Sequence, residues 1–192
     1  FSSTGASTRS IAFNGGTMAV SGATFTASGS NLTTSGSGTI SMTSASSKTF
    51  AGGGFSYPTL NQGGAGALII TGANTFANIT NTVQPATITF PASTITTVSA
   101  FSVNGTAGNL ITLNSSTPGI RATLSKPYGT INVNYASITD LIGTGGAEWD
   151  AFTTNGNVDA GNNVGWNFIA PSPVAIQEYP IELRSFTEYR RF

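Results

Sequence analysis

The feature that most constrains this chain is a short motif that keeps returning. Its clearest copy spans Gly66 to Thr80: Gly-Ala-Leu-Ile-Ile-Thr-Gly-Ala-Asn-Thr-Phe-Ala-Asn-Ile-Thr. A β-prone run, Leu68-Ile69-Ile70, meets a Gly72-Ala73-Asn74 bend, and a second run follows with Phe76 and Ile79 as its large apolar side chains. β-branched and aromatic residues suit a pleated surface, whereas Gly and Asn tolerate the angles of a bend. The apolar-x-apolar core recurs as Met18-Ala19-Val20, Ile40-Ser41-Met42, Ile88-Thr89-Phe90, Ile111-Thr112-Leu113 and Ile131-Asn132-Val133. Its steps of roughly 20 to 28 residues are those of a solenoid.

Second strands are predicted at Thr24-Phe25-Thr26, Thr75-Phe76, Ile95 to Val98, Ala122 to Leu124 and Ser137-Ile138, with a third at Phe101-Ser102-Val103. Gly-rich corners separate them: Asn14-Gly15-Gly16, Gly36-Ser37-Gly38, Gly52-Gly53-Gly54, Gly63-Gly64, Gly105 and Gly108. Two or three short strands per coil is the layout of a parallel β-helix. Seven or eight coils stacked at about 4.8 Å would make a rod of roughly 35 Å. An antiparallel sandwich also yields many short strands, and Asn14-Gly15-Gly16 would then be a hairpin turn. The grouping of strands into coils favours the β-helix.

Composition narrows the functions open to such a rod. Charged residues make up 7% of the 192 residues, and Lys+Arg and Asp+Glu balance at 7 each. Neither a basic footprint for nucleic acid nor a polybasic patch for anionic lipid is present. No apolar run approaches the roughly 18 residues of a membrane-spanning helix. The chain has no Cys and no His, so thiolate metal sites, disulfides and the commonest general base are excluded. The 39% of hydrophobic residues at regular positions argues against disorder. A start at Phe1 without Met reads as a processed or fragment start.

The segment from 139 to 170 changes character. The first carboxylate of the chain is Asp140, and both tryptophans, Trp149 and Trp166, follow it. Large aromatics can close the open end of a solenoid, so Trp149, Trp166 and Phe168 are read as a C-terminal cap. The domain reading is therefore coils over 1–139, a cap over 140–170 and an extended docking tail over 171–192. The tail carries Pro171, Pro173 and Pro180, which break pairing, and 6 of the chain's 14 charges: Glu178, Glu182, Arg184, Glu188, Arg190 and Arg191. Interleaved with these charges are Tyr179, Ile181, Leu183, Phe186, Tyr189 and Phe192, expected to contact a neighbouring subunit.

Candidate chemistry is sparse. A glycosidase needs paired carboxyls, and Glu148 and Asp150 would share a face of a strand at i, i+2. With Asp140 and Asp159 they are the only carboxylates before the tail, so the flank of the rod has no acidic cleft and no enzymatic activity is expected. Asn155, Asn157, Asp159 and Gly161 have the alternate spacing of a calcium loop, but Ala160 fills the glycine slot and Trp166 stands where a bidentate Glu belongs. An Asn/Gly turn without metal is the preferred reading, and no metal or other cofactor is expected. Glycosylation-type triplets begin at Asn31, Asn78, Asn104 and Asn114, as chance alone would give in so Thr/Ser/Asn-rich a chain. Trp149 and Trp166 have faces for sugar stacking, with cap packing as the competing use.

The stretch Asn155-Gly156-Asn157-Val158-Asp159 through Asn162-Asn163-Val164-Gly165-Trp166 resembles the closing motif of β-helix repeat modules. Such modules occur in bacteriophage tail-fibre and other virion proteins and in some bacterial surface proteins. Thr49 to Leu60 and Leu68 to Ile79 are similar to the repeats that precede the motif. The resemblance covers roughly residues 49–169 and implies a right-handed parallel β-helix in a structural or host-contact role; the recurring unit extends the expected helix to roughly residues 10–169. A low-charge rod with an apolar, charge-bearing tail is expected to form a homo-oligomer; the resemblance implies that it is a trimer in a fibre, and it supplies no catalytic residues. The expected function is thus a virion structural protein of tail-fibre or spike type on the particle exterior. Its expected partners are identical subunits and a host surface glycan, with no nucleic acid and no membrane insertion. The alternatives are a bacterial surface adhesin or secreted filament subunit, and a polysaccharide-degrading β-helix enzyme.

Overall fold

A computed structural model describes residues 1–172; the tail residues from Pro173 onward, including Tyr179, Ile181, Leu183, Phe186, Tyr189 and Phe192, lie outside the described residues. The described chain is all-β, a parallel solenoid of about seven turns. One sheet has eight strands stacked in the order β1 (Ser2–Ser3), β3 (Thr24–Ala27), β5 (Lys48–Ala51), β7 (Leu68–Thr71), β9 (Ala86–Phe90), β11 (Ile111–Ser115), β14 (Ala136–Ile138) and β17 (Val158–Asp159). A second has seven: β2 (Arg9–Val20), β4 (Leu32–Met42), β6 (Ser56–Gln62), β8 (Thr75–Asn81), β10 (Ile95–Ser102), β12 (Ala122–Ser125) and β15 (Leu141–Thr144). A third joins β13 (Thr130–Asn132), β16 (Glu148–Asp150) and β18 (Trp166–Asn167). Every ladder in these sheets is parallel. The only antiparallel bridges among the described residues are two local ones, Thr106 to Asn109 and Thr117 to Ile120. That pattern rules out the sandwich.

Strands of the first two sheets alternate along the chain because each coil visits both faces once. Alternation then fixes the interior: Phe25, Phe50 and Ile70 are in register and fully buried, as are Leu68, Ile88, Leu113 and Ile138. Stacked rungs let like side chains touch. Phe25 and Phe50 lie parallel with centroids 4.7 Å apart, and Tyr57 meets both edge-on at 5.9 and 4.9 Å.

Several corners differ from expectation. Asn14-Gly15-Gly16 and Gly36-Ser37-Gly38 lie inside β2 and β4, where the pairing slips between Asn14 and Thr17. There Gly permits a bend within a long strand that wraps around an edge of the rod. Ile95 to Val98 and Phe101-Ser102 likewise form one strand, β10. The segment from 140 onward is not set apart from the coils: β14 pairs with β17, β12 with β15, and β13 with β16. Residues 140–167 continue the same ladders to the end of the rod.

Candidate functional site

The expected cap residues are rungs of the third sheet. Ile131, Trp149 and Trp166 stand in register on β13, β16 and β18, and the two indoles pack at 5.1 Å. Trp149 and Trp166 are buried, and Phe168 packs partly buried against the same core. Trp149 Nε1 donates to the Thr144 carbonyl at 3.1 Å. Neither indole offers a free face for sugar stacking. Gly143 makes room for this packing, since a Cβ there would lie 2.5 Å from the Trp149 ring.

Because Trp149 points inward, its neighbours Glu148 and Asp150 point outward, as i, i+2 spacing on a strand requires. They line one groove of about 310 Å³ with Phe152, Asn167, Ile169 and Pro171. Asn167 Nδ2 donates to Asp150 at 2.7 Å, so one of the two carboxylates is already engaged.

The remaining carboxylates brace turns. Asp140 has a left-handed backbone (φ 54°), an uncommon conformation outside Gly and Asn. Its carboxylate accepts from Asn162 Nδ2 at 2.5 Å and from the Gly119 amide at 2.9 Å, tying three successive coils. Those two bonds, Asn162 first, together with the charge of Arg121, hold its pKa below the usual carboxylate value. Asp159 accepts from the Gly161 amide at 3.0 Å and from Asn163 Nδ2 at 2.7 Å. Asn157 is buried, donating to the Val133 and Phe152 carbonyls while accepting from the Ala136 amide. Within the alternate-residue set Asn155, Asn157, Asp159 and Gly161, Asn157 and Asp159 therefore spend their side-chain polar atoms on backbone groups and a neighbouring amide, while Asn155 is exposed. Among the described residues no group of three acidic, His or Cys side chains comes together.

Two features carry no warning in the motifs. The first is Lys48, which is 1% exposed. Its ammonium donates to the carbonyls of Ser44 at 3.1 Å, Gly64 at 3.2 Å and Gly66 at 2.5 Å. Among the described residues its partners are these carbonyls alone, so peptide dipoles solvate the charge. Burial pushes its pKa down to about 8. The sequence did hold a signal. Lys48 and Phe50 are two apart on one strand, so both must face the same side.

The second is the outer surface of the eight-stranded sheet. Thr24, Thr49, Ile69, Thr89 and Asn114 stand side by side on five successive strands. A second rank runs Thr87, Thr112, Ser137, Val158, and a third Ser2, Thr26, Ala51, Thr71. None of these side chains is charged and all are at least partly exposed.

At one corner Asn81, Asn104 and Asn134 form a ladder between coils: Asn81 Nδ2 donates to the Asn104 carbonyl at 2.9 Å, and the Asn134 amide donates to Asn104 Oδ1 at 2.8 Å. Comparison with protein-family models, with curated proteins and with solved structures finds no match.

Proposed function

We propose that this chain is a structural rod of tail-fibre or spike type, carried on a virion exterior and used in host attachment. The observation that carries the reading is the stacking of parallel ladders in three sheets from β1 to β18, which gives a stiff spacer with uncharged polar flanks. Stacked coils transmit load through hydrogen bonds along the axis, and each coil leans only on its neighbours. Hydroxyl-rich flanks suit polar receptors such as glycans without long-range charge steering. The closing motif through Trp166 supplies the likeness to virion modules, and with it the homotrimer. The scattered carboxylates support a non-enzymatic role: Asp140 and Asp159 brace turns, and Asp150 is held by Asn167.

Immunogold labelling of purified phage particles with an antibody to this chain is the test. Label on tails or fibres is expected. Label confined to the surface of uninfected bacteria would replace the virion with an adhesin or filament. Release of oligosaccharides from host polysaccharide, abolished by Glu148→Gln or Asp150→Asn, would replace it with an enzyme.

A further inference from the structure

We propose that the outer face of the eight-stranded sheet is an ice-binding surface. The inference stands apart from the virion reading, since it depends only on the geometry of that face. Strands in a sheet lie about 4.8 Å apart, and alternate residues along a strand about 6.6 Å apart. The first rank therefore forms a two-column array with the third over β3, β5 and β7 (Thr24/Thr26, Thr49/Ala51, Ile69/Thr71) and with the second over β9 and β11 (Thr89/Thr87, Asn114/Thr112), a surface of mostly hydroxyls and methyls with those repeats. The prism face of hexagonal ice repeats at similar distances in two perpendicular directions.

Four properties of the face single out a flat, uncharged, repeating partner. First, stacking in a solenoid keeps a sheet flatter than an open sheet, which twists strand by strand. Second, threonine is stiff at χ1, so its hydroxyl and methyl are positioned before any partner arrives and little side-chain entropy is lost on binding. Where Thr is absent, Ile69 and Ala51 still present apolar carbon at the same lattice points. Third, no charged side chain stands in the three ranks, so no tightly held hydration shell interrupts water ordered across them. The one cation on these strands, Lys48, is turned inward. Fourth, each rank spans several strands, so contacts that are individually weak act together on a lattice and cannot all act on a small ligand. A small dissolved molecule calls for the opposite design, a concave site with a few convergent polar groups.

The test is partition of the full chain into slowly grown ice, with an inert protein of similar size as the excluded control. The wild-type chain is expected to enter the ice, and the double variant Thr49→Tyr/Thr89→Tyr to lose about tenfold or more of that enrichment by breaking the central rank. Asn132→Tyr, an exposed position on the third sheet, is expected to partition like wild type. Circular dichroism and thermal unfolding of each variant establish that the fold survives. Exclusion of the wild-type chain from ice overturns the proposal. So does equal loss in Asn132→Tyr and the double variant, or adsorption to crystalline cellulose or chitin without adsorption to ice.

Discussion

Replacing Lys48 by Met should remove a pH dependence that this buried cation imposes on the whole rod. Lys48 is 1% exposed, and among the described residues its ammonium's partners are the carbonyls of Ser44, Gly64 and Gly66. Desolvation lowers its pKa from 10.5 to about 8. Each pKa unit corresponds to about 1.4 kcal/mol, so keeping the charge costs the folded state at most about 3.5 kcal/mol at neutral pH. The three carbonyl bonds favour the ammonium and reduce that figure. Between pH 8 and 10.5 the unfolded chain still holds the proton that the folded chain has released. Stability attributable to Lys48 therefore rises with pH in that window, and the full cost applies below it. Between Arg9 and Arg121 the only other titratable side chain is Tyr57, whose pKa burial raises, so its ionisation in the unfolded chain lowers stability above about pH 10. Both proteins share that term, and it cancels in their difference. Urea denaturation of wild type and Lys48→Met at pH 7, 8, 9 and 10 reads the effect. Near-equal stabilities are expected at pH 7, where the loss of the carbonyl bonds offsets the relief of desolvation. Wild type should gain about 1–2 kcal/mol over the variant by pH 10. A difference that stays flat from pH 7 to 10, or moves the other way, would refute the reasoning.

Other sites give sharper, more local outcomes. Phe50→Ala empties the centre of the Phe25–Phe50–Tyr57 cluster and should cost about 3–5 kcal/mol in denaturant unfolding. Gly143→Ala drives a methyl into the Trp149 ring and should cost about 1–3 kcal/mol, with a shift in tryptophan emission as the indole pair opens. Asp140 contributes stability above the usual carboxylate pKa that is lost as pH falls through its lowered native value; Asp140→Asn should be less stable at pH 7 and lack that acid-side loss in a pH titration followed by circular dichroism.

How much of this was legible beforehand can be argued residue by residue. The solenoid was readable because inward and outward side chains alternate, which survives any change in corner length. What the triplets hid is that they are spread over three sheets, with Ile131–Val133 at β13 of the third. Leu68–Ile70, Ile88–Phe90 and Ile111–Leu113 belong to the eight-stranded sheet. Met18–Val20 and Ile40–Met42 lie instead in the wrapped ends of β2 and β4. The long step from Ile40 to Leu68 therefore skipped a coil. Its missing member is Leu60, in register with Ile40 and Ile79. That strand looked unlike the others because Asn61 and Gln62 follow Leu60, yet both are buried. Asn61 satisfies its amide on Ser41 and Thr82, a partner set that only the stacking of coils creates.

The site residues divide along the same line. Wherever a role depends on strand alternation, sequence was enough: Glu148 and Asp150 had to share one face once Trp149 took the other. Wherever a role depends on which coil lies above or below, it was not. Asp140 reads as an isolated carboxylate in sequence, but its partners, Gly119 and Asn162, are each about one coil away. The partners of Asn157, in a run whose spacing is calcium-like, were hidden for the same reason. Local spacing suggested convergence on an ion, whereas stacking hands Asn157 the Val133 carbonyl and the Ala136 amide of the preceding coil. In a solenoid the decisive neighbour of a polar side chain is the residue one coil distant, and coil length here varies from about 17 residues, Trp149 to Trp166, to about 28, Ile95 to Thr123. The hydroxyl ranks of the eight-stranded sheet become visible only after that variable step is resolved, because Thr24, Thr49 and Thr89 share no fixed spacing in the chain and align only through the register of the strands.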